Sequence, residues 1–230
     1  MRKLIIIHVL LSLLLFNACS GNSRNPKEKN SSIRNIPVSE EKTTAAKNTH
    51  AQATNLTYII DSIRIKWMGF KYTNKTGVPG TFNKVTWKNL KEAKTPEKTL
   101  QGASFTINVK SLDTGNPGRN KTIIEYLFGK MMETNRIEGR IAAIEPDNAL
   151  IKVALRLNNH EKIAGFRYII NENILKAKSK IDLIEDFKAA EPFYFLHTAC
   201  EDKHTGKDGI SKTWPDVSLE ALIYFHNKSS

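Results

Sequence analysis

The chain has 230 residues, 40% of them hydrophobic and 25% charged, with a formal net charge of +12. That apolar share excludes a wholly disordered chain, and two cysteines are too few for a disulfide-stapled scaffold. The basic excess suits anionic lipid headgroups or phosphates, but no nucleic-acid motif accompanies it, so nucleic acid is not an expected partner.

Residues 1–18 read as a targeting segment. Arg2 and Lys3 precede an apolar run, Leu4 to Phe16, that is too short to span a bilayer as a mature helix. The run ends in Leu15-Phe16-Asn17-Ala18-Cys19-Ser20, which resembles the lipobox of bacterial lipoproteins, with Phe16 and Asn17 departing from its commonest form. The resemblance implies cleavage before Cys19 and lipid attachment to its sulfur, hence an exported protein held to a membrane by acyl chains. Residues 19–56 are rich in Asn, Ser, Lys and Thr, cannot bury a core, and read as a disordered tether with a root-mean-square reach of about 35 Å. With Cys19 lipidated, Cys200 has no partner, so residues 57–230 must be held by their own core.

That domain alternates. Ile63, Ile65 and Trp67 alternate with Arg64 and Lys66, and the apolar phase shifts at Gly69, which marks a bulge. Phe82, Val85 and Trp87 follow Gly77-Val78-Pro79-Gly80, which signals a turn or a sheet edge, and residues 88–102 read as loop. Phe105, Ile107 and Val109 form a one-faced strand leading to the turn Asp113-Thr114-Gly115-Asn116. There Asn116 can cap a helix, Pro117 fits its first position, and Ile123, Ile124, Leu127 and Phe128 share one face. Gly115, Gly118, Lys121 and Thr122 mimic a phosphate loop, but Arg119 and Asn120 break its spacing.

Beyond the helix lies a meander. Ile137, Ile141 and Ile144 lead to the turn Pro146-Asp147-Asn148; Ile151, Val153, Leu155 and Leu157 to Asn158-Asn159-His160; Phe166, Tyr168 and Ile170 to Asn171-Glu172-Asn173. Leu175, Ala177, Ser179, Ile181 and Leu183 make the next strand, and Val217 to Phe225 the last. About eight antiparallel strands with one apolar face each favour an all-β fold, a closed eight-stranded lipocalin-like barrel with a short amphipathic helix after the third strand.

The segments Tyr58-Ile59-Ile60-Asp61, Ile65-Lys66-Trp67, Gly80-Thr81-Phe82, Ser111-Leu112-Asp113-Thr114-Gly115-Asn116 with Arg119, Leu127-Phe128 and Ser211-Lys212-Thr213-Trp214 fall in an order that resembles the YceI family of lipid- or polyisoprenoid-binding domains. Asn120 stands where that family usually has Asp, and Leu127 where it has Phe. The resemblance implies an exported barrel whose lumen holds an isoprenoid or other hydrophobic lipid, without catalysis, cofactor or metal, in the periplasm or at the outer membrane. The inward faces then nominate Ile65, Trp67, Phe105, Ile107, Val109, Leu155, Phe166, Tyr168, Ile223 and Phe225 as lumen wall. Ile123, Leu127 and Phe128 would close one end, with Arg119 placed for a polar head. The competing expectation is an envelope interaction module whose barrel is filled by its own side chains. His197, Cys200 and His204 match no standard zinc spacing and read as a polar loop; His160-Glu161 lacks a second histidine, position 164 being Ala164.

Overall fold

A computed structural model describes residues 56–229. The expected signal segment, Cys19 and the tether through residue 55 lie outside the described residues.

The chain is mostly β. Ten strands, β1 (Leu56–Lys71), β2 (Thr76–Phe82), β3 (Val85–Lys88), β4 (Ser104–Asn108), β5 (Leu112–Asp113), β6 (Arg136–Glu145), β7 (Leu150–Leu157), β8 (His160–Asn171), β9 (Ile174–Asp182) and β10 (Thr213–Ser229), form one antiparallel sheet. Its order is β3-β4-β6-β7-β8-β9-β10-β1-β2-β5. From β6 to β10 neighbours in sequence are neighbours in space, the meander that the turn signals predict. Asn158 and Asn159 both take positive φ in the β7–β8 hairpin, where asparagine bears the left-handed conformation at low cost. The sheet curls so that the even-numbered or odd-numbered side chains of each strand point to one interior, and Ile151, Val153, Leu155, Leu175, Ala177 and Ile223 are buried there.

Two irregularities bend β1. The ladder to β10 shifts register between Ile60 and Ser62 and again between Met68 and Phe70, the second at the glycine that the phase change marks. Ile170, expected inward, is 38% exposed near the end of β8, while Ala154, expected outward, is buried.

Four helices form a second layer: α1 (Pro117–Tyr126), α2 (Leu183–Phe187), α3 (Ala190–Ala199) and α4 (Glu201–His204). The start of α1 follows its sequence signals, since Asn116 accepts a hydrogen bond from the Arg119 amide at 2.9 Å and Pro117 opens the helix. The expected apolar face of α1 needs correction. The helix ends at Tyr126 with no fully buried residue, and Leu127 and Phe128, which are buried, lie beyond it in a tight turn. The residues expected as a polar loop around His197 are helical instead, and Leu183 opens α2 rather than ending a strand. Asp182 caps α2 by accepting from the amides of Ile184 and Glu185 at 2.8 and 3.0 Å. The helical layer joins the core of the sheet through Leu127, Phe128, Met131, Leu183, Phe187 and Leu196.

Two glycines set how closely aromatic rings lie against the sheet. Gly80 pairs with Trp67, and a Cβ there would come within 2.1 Å of the indole. Gly139 pairs with Phe105, which pairs in turn with Trp87, and a Cβ on Gly139 would come within 2.1 Å of the Phe105 ring. Gly139→Ala should therefore lower stability by about 1–3 kcal/mol, read from the urea midpoint. Adding Phe105→Leu should recover part of that loss, and an unchanged midpoint in the single variant would contradict the packing described.

Candidate functional site

Inside the curl lies an apolar cavity of about 120 Å³. Every strand except β5 contributes to its wall, through inward residues that recur every second position, such as Ile63, Ile65 and Trp67 on β1 and Leu219, Ala221 and Ile223 on β10. Glu220 is the single charged residue of the lining, and its carboxylate is engaged by Lys176 and Lys178 at 3.3 and 3.8 Å. A larger concavity of about 570 Å³ between Glu133 and Asn159 is polar and self-satisfied: Arg136 pairs with Glu138, Arg156 with Glu133, and Asn158 donates to Phe187 O.

Trp67 and Trp87 both line the apolar cavity, and the indole Nε1 of each is buried without a hydrogen-bond partner among the described residues. An unpaired buried donor costs about 1–3 kcal/mol. The rings themselves are fixed by packing: Trp87 lies 4.8 Å from Phe105, and Trp67 lies 6.4 Å from Phe82, centroid to centroid. The volume is below the roughly 300–1,000 Å³ of pockets that enclose drug-sized ligands. A long chain can enter only if inward side chains swing aside.

Of the residues nominated as lumen wall, Ile65, Trp67, Phe105, Ile107, Leu155, Phe166 and Ile223 line this cavity. The others lie elsewhere in or beside the core. Val109, Leu127 and Phe128 are buried on the side of the helical layer, where Phe128 packs against the cavity residue Phe82 at 6.3 Å; Ile123 is half-buried in α1. Phe225 and Tyr168 are buried toward the opposite end, Phe225 edge-on to Tyr58 at 6.1 Å. Burial, with the charges of Glu97 and Asp147, pushes the Tyr168 phenol up. Phe82, Trp87, Ile137, Ile141 and Leu219 line the cavity without having been nominated. Their inward alternation was visible; their height along the strands was not.

Arg119 is half-buried at the start of α1, with Nε donating to Thr114 Oγ1 at 3.0 Å and Nη2 to Thr114 O at 3.1 Å. The corner beneath it is built by Asn120, whose Oδ1 accepts from the amide and hydroxyl of Thr114 at 2.9 and 2.6 Å and whose Nδ2 donates to Asp113 at 3.3 Å. An amide supplies both the donor and the acceptor that this corner uses; a carboxylate would face Asp113 with like charge. Asp113 also accepts from the Gly115 amide, and that bond, then the one from Asn120, holds its carboxyl below the usual value.

Beside α1, His197 of α3 and His204 of α4 converge on one buried hydroxyl. Thr213 Oγ1 lies 2.7 Å from His204 Nδ1 and 3.0 Å from His197 Nδ1. Burial, then the positive charges of Lys71, His197, Arg119 and Lys203, lowers the His204 pKa to about 4. Burial raises the Cys200 thiol, against the smaller pull of Lys203 and Lys71, so it is no thiolate nucleophile. Among the described residues no three His, Cys, Asp or Glu side chains gather in a metal-binding group.

No family model matches the chain, and no curated protein matches it. Solved structures similar to it include a polyisoprenoid-binding domain from Saccharophagus degradans implicated in plant cell wall breakdown (11% identity, 76% of this chain and 99% of that one, TM-score 0.49). Burkholderia cenocepacia BcnA follows at 15% identity, covering 70% of this chain and 94% of its own, with a TM-score of 0.47. A Campylobacter jejuni YceI protein has 15% identity over 67% of this chain and 87% of its own, with a TM-score of 0.43.

The depressed His204 pKa has a stability consequence. Between an ordinary pKa of 6.5 and about 4 the unfolded chain binds a proton that the native site refuses, so stability falls as pH drops through that window. Asp216 and Asp186 are raised by burial but lowered further by Lys75 and Lys180, and by Lys162, so their contributions are lost only at lower pH. Urea midpoints measured from pH 7 to pH 4 should decline, and His204→Asn should flatten that decline. An identical slope in the variant would contradict the assignment.

Proposed function

We propose that this chain is a YceI-like, non-catalytic lipid-binding protein that holds an isoprenoid or other long-chain lipid in the interior of its curled sheet. The observation that carries this reading is the wall of the cavity: apolar residues from nine strands converge on it, and the lone acid among them is paired with lysines on its outer side. Burying a chain there gains about 25 cal/mol per Å² of apolar surface, against the cost of displacing the side chains that fill most of the space.

The sheet closes, in this proposal, into an eight-stranded barrel. Only Asn83 and Lys84 separate β2 from β3, and only residues 109–111 separate β4 from β5. Across these gaps the Asn83 amide donates to Ser111 O at 2.9 Å and the Asn108 amide to Lys84 O at 3.0 Å. Counting β2–β3 as one bent strand and β4–β5 as another leaves each of eight strands hydrogen-bonded to two neighbours. Eight strands enclose room for side chains or one narrow ligand. The tether and a lipid on Cys19 would station this domain at a membrane in the cell envelope, and the basic surface would favour anionic headgroups.

The small cavity favours one rival, an interaction module with a filled interior and no cargo. Organic extraction and mass spectrometry of the full-length protein, purified from its native membranes, separates the two. Co-purifying prenyl or other long-chain lipid at near one per chain supports cargo; a protein that is empty and takes up no added prenyl lipid supports the rival. A second check uses Ala221→Phe, which fills the cavity from β10. It should weaken prenyl-lipid binding at least about tenfold, while unaltered binding would place the cargo elsewhere.

A further inference from the structure

We propose that Lys71, Arg119, His197 and His204 form a binding site for a phosphate group beside the helical layer. None of the four lines the apolar cavity, so the site goes beyond the cargo reading and stands or falls separately from it.

The strand register builds it. Lys71 at the end of β1 pairs with Thr213 at the start of β10, so their side chains share a face of the sheet. The buried Thr213 hydroxyl orients both imidazoles through Nδ1, which leaves each Nε2 without a partner among the described residues. The Lys71 ammonium lies 3.5 Å from Lys203 O, next to His204, and 2.9 Å from the Tyr72 hydroxyl. Arg119 comes from α1, which packs on α3, and Thr114 holds its guanidinium by Nε and Nη2 while Nη1 has no partner among the described residues.

Some surface cations are matched: Lys75 and Lys180 with Asp216, Lys162 with Asp186, Arg140 with Glu161. Lys71, Arg119 and Lys203 have no ion pair among the described residues, yet they stand near enough to disfavour protonation of His204. The acids on the same stretch, Glu201 and Asp202, are exposed and unpaired with them. Gathered positive groups without a counter-charge, Lys71 and Arg119 among them half-buried, raise the energy of the fold, and an anion relieves it. An arginine fork, an ammonium and the imidazole that accepts the Thr213 proton at Nδ1, and so carries its own on Nε2, match the three oxygens of a phosphate; the other imidazole, which donates Nδ1–H to that hydroxyl, joins them once protonated.

Imidazole titration by NMR on the full-length protein tests this, comparing inorganic phosphate with chloride at equal ionic strength. Phosphate should raise the His204 midpoint by about one unit and move His197, while His160 and His226 stay in place. Lys71→Met or Arg119→Met should weaken the phosphate effect about tenfold. Equal midpoints in the two salts, or movement of His160 and His226 equal to that of His197 and His204, would overturn the site. If acid unfolds the protein first, the Thr213 and His204 amide shifts at pH 7 give the same reading: loss of the phosphate response in the two variants supports the site, and its retention in both overturns it. A farnesyl phosphate arm, with farnesol as control, identifies the source of the anion. A response at far lower concentration than inorganic phosphate marks a lipid headgroup; an equal response marks free phosphate, and either supports the site.

Discussion

The ladder between β1 and β10 is the interaction on which the rest of the structure depends. It runs from Leu56 opposite Ser229 to Lys71 opposite Thr213, joining the first and last described strands over nearly their whole length. This pairing places β1 and β2 beyond β10, and so bends the meander back toward the strands from which the chain set out. Such contacts are remote in sequence, so the chain must meet a large loop-closure cost before they form. The same ladder sets both candidate sites. Its middle carries Ile63, Ile65, Ala221 and Ile223 on the cavity wall, and its end brings Lys71 to Thr213 under the two histidines.

Inside and outside obey different rules. The interior is apolar and close-packed, and its glycines let Trp67 and Phe105 lie flat on the neighbouring strands. Two indole N–H groups, of Trp67 and Trp87, remain without a partner among the described residues. Outside, Lys176, Lys178 and Lys180 line β9 opposite Glu220 and Asp216 of β10, so the surface stays charged but mostly neutralised where strands meet. These exposed pairs add little stability individually.

What was legible in the sequence follows from periodicity. A half-buried strand writes its inward face at every second residue, so the meander, the bulge at Gly69 and the Asn158-Asn159 turn were all readable. The Asn116-Pro117 helix start was readable because capping is local chemistry. Helix α3 was not: Phe193, Tyr194 and Phe195 form an apolar aromatic run after Pro192, with no clear period of either kind. It packs on α1, α2 and the turn at residues 128–130, contacts that no local pattern announces. Alternation also tells which face a residue takes but not its height along the barrel axis. Hence Ile65 and Phe105 fell at the cavity, while Val109 and Tyr168 fell toward its two ends. The convergence of His197, His204 and Thr213 had no sequence signal, since it depends on a helix–strand contact.

We propose that a long apolar ligand occupies the interior of the sheet. Isotope-filtered NOE spectroscopy on the protein bound to a ¹³C-labelled prenyl lipid tests it most directly. The claim predicts contacts from the prenyl methyls to the rings of Trp67 and Trp87 and to Ile65 and Ile141. Contacts confined to the exposed rings of Tyr194 and Phe195, or none at all, would contradict it.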